Sequence, residues 1–203
     1  PDINISLFSQ LLHLLDRNAF DRIVKKHSAD KHTKGINSWT HLVSMLFCHL
    51  AKSSSVREIS DGLRSAAGNL NHLGVAKSPC KSSLSYINAH RTWELFRDFY
   101  FALLDKYEPS LVKRRQYALR LKRKIFIMDA TTISLCLSLF DWAQFRTRKG
   151  AIKLHTVLDY DTSLPVFVHM TEGRRHESKV TPLALFPAGS VVVMDRAAFF
   201  EPP

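Results

Sequence analysis

Up to about residue 107 the apolar positions recur every three or four residues; beyond 124 they come in short β-branched runs, so helices precede strands. Residues 3–15 carry Leu7, Phe8, Leu11, Leu12, Leu14 and Leu15, a stripe wide enough to predict a mostly core-facing helix. Residues 19–27 predict a second, with Phe20, Ile23 and Val24 inward, followed by basic Lys25, Lys26, Lys31 and Lys34. Ser38 predicts the cap of a third helix, built on Trp39, Leu42, Val43, Leu46, Phe47 and Leu50. Ser55-Val-Arg-Glu58 is a capping box opening a fourth, with its stop expected at Gly68. A turn-rich stretch over 72–79 leads to a short helix, capped by Ser82 or Ser83, that carries Leu84, Tyr86, Ile87, Asn88, His90 and Arg91. Residues 93–107 predict a longer amphipathic helix ended by Pro109.

Beyond 124 the chain reads differently. Lys124-Ile-Phe-Ile-Met-Asp-Ala-Thr131 is a short buried strand with one carboxylate, Asp129, near its exit. Residues 152–159 and 164–171 predict a hairpin across the turn Tyr160-Asp-Thr-Ser163, where Asp159 and Asp161 have a structural use. A helix is expected over 176–185, and Val191-Val-Val-Met-Asp-Arg196 repeats the first pattern with Asp195 at its end. A charge at the end of a buried strand is costly unless something pairs with it. Two core strands that each deliver one carboxylate to the same end build a divalent-metal site. Strand, strand, strand, helix, strand, with acids on the first and fourth strands, is a ribonuclease-H-like order in which those two strands are neighbours. The expected fold class is therefore α+β: an all-helical N-terminal DNA-binding domain over 1–110, a basic linker over 111–123, and an incomplete ribonuclease-H-like α/β core over 124–203.

Charge points to the partner. The chain holds 29 Lys+Arg against 18 Asp+Glu, a formal +11, which suits a polyanion, nucleic acid before an anionic membrane. The part up to Ser110 carries 14 basic and 10 acidic residues, the rest 15 and 8, so both halves are basic. Lys113, Arg114, Arg115, Arg120, Lys122, Arg123 and Lys124 follow one another without an acid; they read as a solvated linker or, favoured by the overall basicity, a phosphate-contacting arm. The short helix around Tyr86 follows a turn as a helix-turn-helix reader would, although ordinary bundle packing explains it equally. Cys48, Cys80 and Cys136 are scattered, and His41, Cys48 and His49 share a helix without a convincing zinc partner. His155 and His169 read as packing residues. With no secretory signal at the start and no stretch near the roughly 20 apolar residues of a membrane span, a cytoplasmic, nucleoid-associated protein is expected.

Five stretches carry a family resemblance: Ile127-Met-Asp-Ala-Thr-Thr-Ile-Ser134, Phe140-Asp-Trp-Ala-Gln-Phe-Arg146, Lys149-Gly-Ala-Ile-Lys-Leu-His155, Gly173-Arg-Arg-His-Glu-Ser178 and Val193-Met-Asp-Arg196. In this order they resemble bacterial insertion-sequence transposases of the DDE type, in the group named after insertion sequence four. The resemblance implies metal-dependent cleavage of double-stranded DNA at element ends and strand transfer to target DNA, with a homodimer on DNA. It implies a two-ion Mg²⁺ (or Mn²⁺) site, with Asp129 and Asp195 as first and second catalytic, metal-holding acids. Arg146, Arg148, Lys149 and Lys153 are expected to join the basic linker as DNA contacts or to form a merely solvated face; His176, Glu177 and Arg196 are expected to line the site, with Glu177 read equally as complementing the dipole at the start of its helix. The family's third acid is a Glu in a downstream Tyr…Arg…Glu…Lys signature. Its absence before Pro203, and the unrelated residues after Ala197, lead us to expect a truncated copy, inactive alone. The rival expectations are a noncatalytic DNA-binding relic or transposition inhibitor, and a general nuclease.

Overall fold

The computed structural model describes residues 5–115, 123–134, 151–172 and 186–195. The chain forms two compact units, Pro1–Leu103 and Leu104–Pro203. The helices are α1 (Ile5–His13), α2 (Arg17–Lys26), α3 (Ser38–Leu50), α4 (Val56–Ser65), a 3-10 helix (Ala67–Leu73), α5 (Lys81–His90) and α6 (Glu94–Arg115). No described helix is long and apolar enough to cross a membrane.

Large apolar side chains one helical turn apart give the first unit its core. Phe8, Phe20, Val43, Ile59, Leu63, Leu84 and Leu95 are fully buried. The Phe20 ring meets Trp39 at 5.5 Å and Phe99 at 4.9 Å, both edge to face, which ties α2, α3 and α6 together. Gly62 allows α4 to approach α3, since a Cβ there would fall 2.7 Å from the Phe47 ring.

Helix boundaries follow local hydrogen bonding more closely than hydropathy. Asn37, not Ser38, caps α3, its side-chain oxygen accepting from Thr40 N at 2.8 Å; the Ser38 amide and hydroxyl both donate to Asp30 instead. α4 stops at Ser65, before Gly68, and the left-handed residue is Gly74 (φ 67°) at the end of the 3-10 helix. Cys80, not Ser82 or Ser83, precedes α5. α6 continues through Pro109 to Arg115, past the stop expected at the proline. In α1 Phe8 and Leu12 are buried, and Ser9 Oγ donates to His72 O at 2.9 Å, while Leu7 and Leu11, with Leu14 just beyond the helix, are exposed.

The expected cap forms with one change, since Glu58 reaches back to Ser54 and not to the amide of the N-cap residue Ser55. Ser55 Oγ accepts from Glu58 N at 3.2 Å, and the Glu58 carboxylate takes Ser54 N at 2.8 Å and Ser54 Oγ at 2.7 Å. Ser55→Ala should lower stability by about 1 kcal/mol, read as a lower urea midpoint with an unchanged slope.

The second unit contains a sheet of four strands, β1 (Ile125–Ser134), β2 (Ala151–Asp159), β3 (Pro165–Glu172) and β4 (Val191–Met194), in the order β3-β2-β1-β4. β1 with β2 and β2 with β3 are antiparallel; β1 with β4 is parallel. Strand alternation gathers Phe126, Met128 and Val157 on one face, against Phe167, Phe186, Val192 and Met194. At the β2–β3 turn Asp159 is buried, and its Oδ1 accepts from Asp161 N (2.8 Å) and Thr162 N (3.2 Å) while Lys124 Nζ lies 3.6 Å from Oδ2. That is the structural role expected of a turn aspartate. His155 is fully buried, bonded to Thr171 Oγ1 at 2.9 Å and facing the His169 ring, a packing residue as expected. The expected 176–185 helix lies outside the described residues.

Candidate active site

β1 and β4 run side by side with Ile125 opposite Val191, Phe126 opposite Val192, Ile127 opposite Val193 and Met128 opposite Met194. The next residue on each strand is Asp129 and Asp195, so both carboxylates leave the sheet at the same end on neighbouring strands, whose backbones are about 4.8 Å apart. Alternation assigns both to the face opposite Phe126 and Met128, and both are exposed. Asp129 Oδ1 accepts from the Ala130 amide at 2.8 Å, and Thr156 of β2 lies across from it. Ile127 and Val193 precede the two acids on that face, and Val193 is exposed. Among the described residues no three His, Cys, Asp or Glu side chains cluster as a metal site.

Other expected site residues are distributed differently. Lys153 pairs in register with Thr132 and has the parity of Met128 and Val157, so it belongs to the face opposite Asp129. Arg123 is exposed at the entry of β1, six residues (roughly 20 Å of extended chain) before Asp129. Lys113, Arg114 and Arg115 form the last turn of α6. Arg120, Lys122, Arg146, Arg148, Lys149, His176, Glu177 and Arg196 lie outside the described residues. On the short helix α5, read as a helix-turn-helix reader or as ordinary bundle packing, Tyr86 is exposed while two other polar residues are engaged within the unit. Arg91 turns inward, its side chain 6% exposed, donating to Ile36 O at 2.9 Å and lying 3.3 Å from Asp30, while Asn88 bonds His41.

Residues 120–202 match the family model described as Transposase DDE domain, and residues 3–76 match one described as Domain of unknown function (DUF4372). Over 87 residues the chain is 31% identical to the probable transposase for insertion sequence element IS5377 of Geobacillus stearothermophilus. The second part of the chain is thus similar to DDE transposases. The alignment covers 43% of this chain and 23% of that protein, so the chain aligns with about a quarter of the relative's length. No solved structure matches the chain. Asp129 and Asp195 both fall within the stretch matching the transposase domain.

One feature of the first unit had no sequence signal. Cys80 is exposed at the start of α5, and the Ser82 and Ser83 hydroxyls at 3.5 and 3.0 Å hold its thiol down to about 7. Burial, with Glu58 nearby, pushes the Cys48 thiol up. At pH 7 Cys80 should therefore react with iodoacetamide at least tenfold, roughly, faster than Cys48, measured by peptide mass spectrometry over time.

Proposed function

We propose that this chain belongs to a transposase that cuts DNA at the ends of an insertion sequence and joins the freed 3′-hydroxyl to target DNA. Asp129 and Asp195 are its first two metal-holding acids, in a ribonuclease-H-like core of the insertion-sequence-four kind. The observation that carries this reading is the shared rim of β1 and β4, where two exposed carboxylates follow the last paired residues of adjacent parallel strands.

The donor set suits Mg²⁺ or Mn²⁺. Two neighbouring carboxylates repel each other, and hard oxygen ligands are what these ions take. When bound, the ions supply Lewis acidity and make water or a 3′-hydroxyl a stronger nucleophile. The protein's own contribution is placement. The Ala130 amide holds one Asp129 oxygen and leaves the other available, while the parallel register sets the spacing to Asp195. Lys113, Arg114, Arg115, Arg120, Lys122, Arg123, Arg146, Arg148 and Lys149 supply phosphate contacts along the DNA, and His176, Glu177 and Arg196 line the site. Two copies act together on paired ends.

One alternative is a protein that holds transposon ends without cutting them. Plasmid DNA with and without the ends of the encoding element, incubated with protein and Mn²⁺, separates the readings. Nicking confined to the ends, and stopped by chelator, supports the transposase. Binding without nicking supports the end-holding protein, and cutting regardless of the ends identifies a general nuclease.

A further inference from the structure

Three links fasten a basic loop to the corner between α5 and α6. Arg91, at that corner, bonds Asp30 and Ile36 O; His27 Nε2 lies 2.9 Å from Asp98; Lys26 Nζ lies 3.1 Å from the same carboxylate. The loop so fixed presents Lys31, His32 and Lys34 to solvent, and Lys25 is exposed at the end of α2 beside it. Two acids of this region are already paired, Asp30 with Arg91 and Asp98 with Lys26, His27 and Arg97; Glu94 accepts from the Thr92 hydroxyl and keeps its charge. Among the described residues no ion pair engages Lys25, Lys31 or Lys34, so the region keeps a net positive charge.

The corner itself is aromatic. Tyr86 is 64% exposed and stacks on His90, with ring centres 4.1 Å apart and planes 18° apart. Trp93 is 61% exposed, with the Arg97 guanidinium 5.2 Å from its ring centre. Each ring has one face covered by a neighbour, which fixes its orientation, yet most of its surface stays in water. Large rings left in water, on a corner tied through Arg91 and Asp98 to a segment with unmatched lysines, suit a ligand that offers both phosphates and flat apolar faces.

We propose that this corner and its loop are the surface by which the first unit holds DNA. Lys25, Lys31 and Lys34 contact phosphates, and Tyr86 and Trp93 stack on unpaired bases. The inference rests on the reading that the chain acts on DNA, and it differs from a helix-turn-helix because α5 contributes rings at its end instead of a polar face. It favours DNA that is frayed or forked over fully paired duplex.

The test is fluorescence anisotropy of the full chain with labelled forked and fully paired oligonucleotides across a salt series. Wild type should bind forked DNA more tightly. Lys31→Ala/Lys34→Ala should lower the slope of log affinity against log salt by about two on both substrates. Trp93→Ala or Tyr86→Ala should weaken forked binding about tenfold and paired binding little, while Trp93→Phe and Tyr86→Phe keep most of it. Circular dichroism and thermal melts matching wild type would establish that the variants fold. If wild type binds DNA and the corner variants bind as it does, with loss only in Lys113→Ala/Arg114→Ala/Arg115→Ala, the inference falls and the DNA reading stands. Equal binding of forked and paired DNA overturns the stacking assignment. No DNA binding by wild type overturns the proposed function itself.

Discussion

Asn in place of Asp129 is expected to weaken Mn²⁺ binding by about a hundredfold or more, since even partners outside the ligand set cost metal sites 10–100-fold. The substitution is conservative for the fold. Asp129 is exposed, and the oxygen that accepts from the Ala130 amide survives as the Asn carbonyl. Only the second oxygen's charge is lost. Without metal the variant should be at least as stable as wild type, because one of two adjacent like charges has been removed. Asp195→Asn should behave the same way, and the double variant should lose little beyond either single change if both acids hold the same ions. Calorimetric titration with Mn²⁺, paired with thermal melts, reads both quantities. Unchanged affinity in both single variants would remove the two aspartates from any shared site.

The first unit should lose about 3 kcal/mol of stability as pH falls from 6.5 to 4. His41 is buried, its Nε2 3.3 Å from Asn88 Oδ1 and its ring edge-on to Phe96. Burial first, and the positive charge of Arg91 second, lower its pKa from 6.5 to about 4. Between those values the unfolded chain binds the proton and the folded chain resists it. Stability from this source is therefore complete above 6.5, falls through the window and levels off below about 4. Urea melts at several pH values, followed by Trp fluorescence, should show that slope in wild type. His41→Gln, which cannot take up the proton, should flatten it. An identical slope in the variant would assign the pH response to other groups.

Much of the fold was legible because each segment's local chemistry agreed with its tertiary use. The runs ending in Asp129 and Asp195 were readable as strands because they are short and rich in β-branched residues. Their pairing was expected only from strand order; the register is a long-range choice that no single segment encodes. The side taken by Lys153 follows from strand parity, since counting by twos from Val157 puts it on the packed face, opposite Asp129. α1 misled for the opposite reason. A helix with leucine on most sides has no polar face to mark which leucines are covered, so Leu7, Leu11 and Leu14 could not be told from Phe8 and Leu12. The inward turn of Arg91 was not legible, because its partners, Asp30 and Ile36, lie 61 and 55 positions earlier in the chain.

β4 is only four residues long and meets β1 across a wide interval of sequence, whereas β2 and β3 are joined by a tight hairpin. Loop closure therefore delays β4: the hairpin zips early, and docking of β4 comes late in folding. Assembly of the carboxylate rim would then be among the final events of maturation. Amide protons of Val191–Met194 would exchange sooner than those of Val157, and any ion bridging the two strands would slow them selectively.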